Sequence, residues 1–212
     1  MSSTVRGVQA AVWAIGVVAG FVCLADYEST AGRGAGSPPS WPAESQLERV
    51  ANQPTLVLFA HARCPCTRAS IGELERLMVH AKHRATVHVV MFDPASAPGL
   101  NSSPDSVGWT DTNLWGSANA IPGVRVSRDP HRREAALFGA ATSGQVVFYD
   151  ANQHLQFCGG ITGSRGHAGG NAGSFALIDL LRGRAPATAT TPVFGCSLTD
   201  SCCDPTVDDR TR

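Results

Sequence analysis

Positive charge is not in surplus in this chain: 17 Lys and Arg face 17 Asp and Glu, for a net charge of zero. A protein that grips nucleic acid through its phosphates carries a basic excess, so no nucleic-acid partner is expected. Internal repeats are missing too. The glycine-rich stretch from Gly159 to Asn171 fits neither the Walker nor the dinucleotide spacing, so those nucleotide-binding devices are not expected either. Seven cysteines in 212 residues are many for a cytosolic domain but far too few for a disulfide-stapled miniprotein. The odd number leaves at least one thiol free or paired outside the chain.

Long apolar runs are scarce as well. There is one, Val8 to Ala25, interrupted only by Gln9 and preceded by Arg6. Its length is near the minimum for crossing a bilayer core of ~30 Å. The leading positive charge places the N-terminus in the cytoplasm and the rest of the chain outside. Residues 1–25 are therefore read as an uncleaved membrane anchor, with a signal peptide ending near Cys23-Leu24-Ala25 as the alternative. In that alternative the protein is secreted or periplasmic.

Beyond Ala25 the chain divides by composition. Residues 26–41, with glycines and Pro38-Pro39, suit a flexible tether. Residues 42–184 carry the apolar periodicity of one globular domain. Residues 185–212, dominated by Ala, Thr, Pro and Asp, are expected to be disordered although they contain Cys196, Cys202 and Cys203. Within the domain, Pro42–Asn52 suits a short helix with Leu47 and Val50 inward. Strands are expected over Thr55–Ala60, Ala85–Phe92 and Val124–Ser127, and a hairpin joins Val146–Tyr149 to Leu155–Cys158. Ala95–Ser106 reads as a loop. Helices are expected over Ser70–His80, Thr110–Ala118 and Ser174–Leu181, with another from Asp129-Pro130 to about Phe138. Strand–helix–strand followed by a hairpin and a helix implies an α/β domain: a mixed sheet with helices on both faces, behind an N-terminal transmembrane helix.

The chemistry concentrates in Phe59-Ala60-His61-Ala62-Arg63-Cys64-Pro65-Cys66-Thr67-Arg68. Cys64 falls where a buried strand gives way to a helix, so free N–H groups and the helix dipole favour its thiolate. His61, Arg63 and Arg68 offer further positive charge. The pair Cys64 and Cys66, with Pro65 holding the bend, therefore points to redox work. Cys64 is expected to be the nucleophile and Cys66 to resolve the mixed disulfide, with Cys158 as another resolving thiol. The same thiols, completed by His61 or His167, would suit copper or another soft metal.

Phe59 to Cys64 resembles the thioredoxin pattern, in which an aromatic strand residue stands five positions before the nucleophilic cysteine. Gln145 to Gln153 is similar to the strand-turn of the membrane-tethered TlpA-like branch, and the chain also resembles the bacterial RedB group. The resemblance spans about residues 41–184 and implies a thioredoxin-like fold. It also implies thiol–disulfide exchange with protein thiols and disulfides on the periplasmic side, or, alternatively, extracytoplasmic copper delivery. It brings Arg165 and His167 to the rim that holds Cys64. Two departures stand out: Thr67 occupies the place of the second cysteine of Cys-x-x-Cys, and Ala141-Thr142-Ser143-Gly144 replaces the family's cis-proline loop. Thr142 or Ser143 is expected to offer the thiolate a hydroxyl instead.

Overall fold

Strand β1, Thr55–His61, lies at the centre of the fold, and both its residue parities are apolar. All seven residues are buried, as are all eight of β2, Thr86–Asp93. A strand buried on both faces needs cover above and below, and helices provide it. The computed structural model describes residues 3–34, 36–81, 84–93 and 113–198. The loop expected at Ala95–Ser106 and the start of the helix expected from Thr110 lie outside them. Around β1 and β2 come α1 (Ser3–Ser29), α2 (Pro65–Ala81), α3 (Asn113–Asn119) and β3 (Val124–Pro130). They are followed by α4 (Arg133–Leu137), β4 (Gln145–Tyr149), β5 (Leu155–Gly160) and α5 (Ala172–Leu181).

The five strands form one sheet in the order β3-β2-β1-β4-β5. The pairs β1–β2 and β2–β3 are parallel; β1–β4 and β4–β5 are antiparallel. α2 buries Ile71, Leu74 and Leu77, the stripe that spacings of three and four predict, and packs against α5 and α3. Leu74 is fully buried. Leu74→Ala is expected to cost about 2–5 kcal/mol of stability, read from the denaturant midpoint of the full chain in detergent. A loss below about 0.5 kcal/mol would remove Leu74 from the core.

Helix α1 is long, exposed and apolar: its most apolar 18-residue window has mean hydropathy 2.1 and is not buried at all. At 1.5 Å per residue it is longer than a hydrocarbon core of ~30 Å, which makes it a candidate membrane span.

Three expectations need correction. The helix at Pro42–Asn52 does not form, because Glu134 engages that backbone: its carboxylate accepts from Gln46 N–H at 2.8 Å and Ser45 Oγ at 2.7 Å. Leu47 packs on the core, but Val50 is exposed. The tether is not free after Ser29 either. Leu155 N–H donates to Pro39 O, Trp41 N–H to Gln153 O and the Tyr149 hydroxyl to Pro38 O, so its last residues run along the β4–β5 hairpin. Trp41 finishes this seam edge-on to Phe138 and Tyr149.

The tail is the largest difference. Residues 185–198 form a strap that returns over the domain and packs Val193 and Leu198 into it. Cys158 N–H donates to Ala189 O, and the strap passes so close to Gly160 that a side chain there would meet the Pro192 carbonyl at 2.5 Å. The strap and the tether together occupy the free backbone of edge strand β5. Polar composition suggests disorder, but these backbone hydrogen bonds depend on tertiary partners that composition does not report. Cys202 and Cys203 lie outside the described residues.

Candidate redox site

The site starts where β1 stops. Cys64 N–H donates to His61 O at 3.0 Å, closing a turn, and Pro65 opens α2. Proline suits a first helical position, since its missing N–H has no partner there and its φ is already helical. Cys64 is thus the cap residue. Its carbonyl accepts from Thr67 N–H at 3.1 Å, and its sulfur takes the place of the oxygen that usually caps a helix.

Cys64 is 1 % exposed, yet well supplied with donors. The Cys196 sulfur, carried in by the strap, lies 2.9 Å from that of Cys64: the Cys64 thiol donates to it while protonated, and the Cys196 thiol donates back once Cys64 is ionised. That hydrogen bond is the main reason the Cys64 pKa falls to about 4; burial opposes it, while the Cys196 N–H and the Thr67 N–H and hydroxyl add to it. Donors aimed at an anion stabilise it most when water is excluded. Thr67→Val, which removes the hydroxyl and keeps the shape, is expected to raise the Cys64 pKa. Thr67→Ser should restore it, and an unchanged value in Thr67→Val would dismiss the hydroxyl.

Cys66, in the first turn of α2, goes the other way. Burial raises its pKa, the negative charge on Cys64 raises it further, and the Arg165 guanidinium pulls part of the way back. At neutral pH it is a protonated thiol that donates to Cys64. Arg165 holds the rim together: Nη1 donates to Gly195 O at 2.6 Å, Nε to Tyr27 O at 3.1 Å, and its own N–H to Glu28 O. It therefore links the strap, the last turns of α1 and Cys66.

The other residues singled out in the sequence divide. His61 is buried and stacked on Phe92, and burial lowers its pKa, so it brings no positive charge to the thiolate. Arg63 and Arg68 are exposed, and the donors that dominate at Cys64 are Cys196 and Thr67 rather than either arginine. His167 is exposed and hydrogen-bonded through Nδ1 to Arg165 O within its own loop. It is not brought to Cys64.

The loop replacing the cis-proline also behaves differently from expectation. Thr142 Oγ1 donates to Arg33 O, and Ser143 Oγ accepts from His61 N–H and pairs with Thr67 Oγ1 at 2.7 Å. Neither hydroxyl serves the thiolate directly. The backbone of this loop instead holds the strap: Ser143 N–H donates to Cys196 O, Leu198 N–H donates to Ala141 O, and Thr142 pairs antiparallel with Ser197.

Cys158 belongs elsewhere. It pairs with Val147, which pairs with Val57, four residues or roughly 13 Å of strand before the end of β1. Its sulfur lies 3.1 Å from Ser37 Oγ and accepts from Gln145 Nε2. Among the described residues no group of three or more His, Cys, Asp or Glu is gathered in a way that suits a metal ion. A soft metal here would rest on the cysteines without the expected His167.

Two participants escape a reading of the sequence alone. Thr67 stands out there only as the residue that breaks Cys-x-x-Cys. Cys196 goes with the polar tail, although Val193 and Leu198, apolar residues bracketing it, are a signal of burial.

No protein-family model matches the chain, and no curated protein matches it. Solved structures do. An uncharacterized conserved protein from Geobacillus kaustophilus superposes with a TM-score of 0.53 at 19% identity, over 81% of this chain and 92% of that one. A hypothetical protein from Sinorhizobium meliloti gives 0.54 at 21% identity, over 80% and 93%. The exposed lipoprotein thioredoxin of Streptococcus pneumoniae aligns at a TM-score of 0.42 and 17% identity, over 62% and 85%. With its sheet order β3-β2-β1-β4-β5 and Cys64 at the mouth of the helix after the central strand, the domain has a thioredoxin-like fold.

Proposed function

We propose that this chain is a membrane-anchored thiol–disulfide oxidoreductase of the TlpA-like or RedB-like kind, acting on protein disulfides outside the cytoplasm with Cys64 as nucleophile. The observation that carries this is the placement of Cys64: a buried sulfur capping α2, 2.9 Å from the Cys196 sulfur, whose thiol favours the Cys64 thiolate. A sulfur so placed is an anion at neutral pH, and the thiolate is the attacking form. It displaces one sulfur of a substrate disulfide, forming a mixed disulfide and releasing a substrate thiolate that takes a proton from water. A second thiol then attacks the mixed disulfide and frees the other substrate sulfur.

Anchor and orientation belong to the same proposal. Helix α1 crosses the membrane, and Arg6 ahead of its apolar run keeps the N-terminus in the cytoplasm. An oxidising compartment also suits a chain with this many cysteines. The test is turnover of a model protein disulfide by the full chain in detergent micelles with a dithiol reductant. Acceleration well above the uncatalysed exchange is expected; none would contradict the proposal. Protease added to intact spheroplasts should degrade the domain, whereas a protected domain would contradict the orientation.

A further inference from the structure

We propose that Cys196 is the resolving thiol of Cys64, so that the catalytic disulfide joins the mouth of α2 to the C-terminal strap rather than to Cys66. This rests on Cys64 being the nucleophile and adds the identity of its partner. The two sulfurs already face each other at 2.9 Å, from residues 132 positions apart in the chain. They need only close to the bond length of about 2.05 Å. Both elements that carry them are held independently of that contact. Cys64 is fixed by the turn from His61 and by the first turn of α2. Cys196 is fixed by Ser143 N–H on its own carbonyl, Leu198 N–H on Ala141 O, Gly32 N–H on Val193 O, and Arg165 on Gly195 O.

Residue 195 records how close this approach is. A Cβ there would run into the carbonyl oxygen of Ser143, so only glycine lets the strap lie this deep. Cys66 is placed less well. Cys64 is the cap ahead of α2 and Cys66 lies in its first turn, so a Cys64–Cys66 bridge would close across Pro65 and strain the turn that the Thr67 N–H to Cys64 O hydrogen bond holds. Forming the Cys64–Cys196 bond disturbs no helical hydrogen bond. Cys66 then serves as a protonated donor to the thiolate, and Thr67 does the same through its N–H.

The strap also explains how the reaction is ordered. Cys64 is 1 % exposed, so a substrate disulfide reaches it when the segment around Cys196 lifts. The Cys64 thiolate attacks, one substrate sulfur leaves as a thiolate and is protonated, and a Cys64–substrate disulfide remains. The strap then seats again. Cys196 gives up its proton and attacks the Cys64 sulfur; the second substrate sulfur leaves and takes a proton. The substrate has gained two electrons from the two cysteine sulfurs and two protons, one released by Cys196 and one from water, and Cys64 and Cys196 are left joined as a disulfide. A dithiol reductant of small-molecule or protein class returns the enzyme to its starting state. Run backwards, the same steps oxidise a substrate dithiol.

The experiment traps the intermediate. The full chain in detergent, with Cys202→Ser and Cys203→Ser to simplify mapping, is reduced and mixed with oxidised glutathione. Adducts and internal disulfides are followed by mass spectrometry of non-reduced peptides. Cys196→Ser is expected to hold a glutathione adduct on the peptide carrying Cys64, its decay slowed at least about tenfold. Cys66→Ser should pass through the adduct to an internal disulfide between the peptides carrying Cys64 and Cys196. Chains with Cys196 intact should give that same cross-link. If Cys196→Ser clears its adduct as fast as the parent by forming a Cys64–Cys66 bridge, Cys196 is not the resolving thiol and the nucleophile assignment stands. If Cys64→Ser consumes oxidised glutathione at the parent rate, the nucleophile assignment fails, and this proposal fails with it.

Discussion

Cys64→Ser is expected to abolish disulfide exchange, lowering turnover on the order of 10³-fold or more, because a serine hydroxyl is neither ionised at neutral pH nor able to form the mixed disulfide. The substitution should also change how stability depends on pH. The folded pKa of Cys64 is depressed to about 4, well below that of an unfolded thiol. For a group shifted in that direction, the reduced protein's extra stability is fully present above the unfolded thiol pKa of about 8.5 and is lost as pH falls towards the folded value. The reduced parent should therefore gain stability on going from pH 4 towards pH 8.5, relative to Cys64→Ser measured alongside it. A Cys64→Ser chain that keeps parental turnover on a protein disulfide would end the catalytic assignment. Parallel stability profiles for the two chains would instead end the claim of a stabilised thiolate.

The second large effect comes from a residue with no chemistry of its own. Gly195→Ala is expected to unseat the strap, since the new methyl group would overlap the Ser143 carbonyl, a backbone atom with little room to move. Lifting the strap takes away the Cys196 thiol, the largest influence on the Cys64 thiolate, and the Cys196 N–H with it. The Cys64 pKa should rise towards the ordinary thiol range, and backbone amides of residues 189–198 should exchange with solvent sooner. Gly163→Ala is the control, because a Cβ there meets nothing within 4 Å. It should leave both readouts unchanged. An unaltered Cys64 pKa in Gly195→Ala would mean that the strap does not shape the thiolate.

Such dependence on the strap shows why part of this site is not legible in sequence. Local signals suffice for β1, α2, β2 and the β4–β5 hairpin, because each has an apolar period of its own element and a turn to end it. They suffice for Cys64 as well, since the strand-to-helix junction lies within ten residues of chain. The helix expected from Asp129-Pro130 begins later, at Arg133 behind the cap residue Arg132, and is still served by Asp129. Its carboxylate accepts from Glu134 N–H and Ala135 N–H at 2.9 Å, although it does so from the end of β3. The failures share a cause. Pro42–Asn52 is kept from helix by the carboxylate of Glu134, about ninety residues away in sequence. The strap is ordered by β5 and by residues 141–143, and His167 is turned into its own loop. Each depends on a partner distant in the chain, which neither composition nor periodicity encodes.

Glycine shows the same limit from another side. In sequence, Gly159 and Gly160 open the glycine-rich stretch that follows the hairpin, yet they end strand β5 and leave room for Thr191 and Pro192 of the strap. Their presence signals a close backbone approach. What approaches becomes visible only in the folded chain.

The most direct test of a thiolate held by the strap is a difference titration. Thiolate ultraviolet absorbance of the reduced full chain is measured against pH, and the same titration of Cys64→Ser is subtracted. A one-thiol step centred near pH 4 is expected, set by the Cys196 and Thr67 donors. A difference step in the ordinary cysteine range, about pH 8.5, would contradict it.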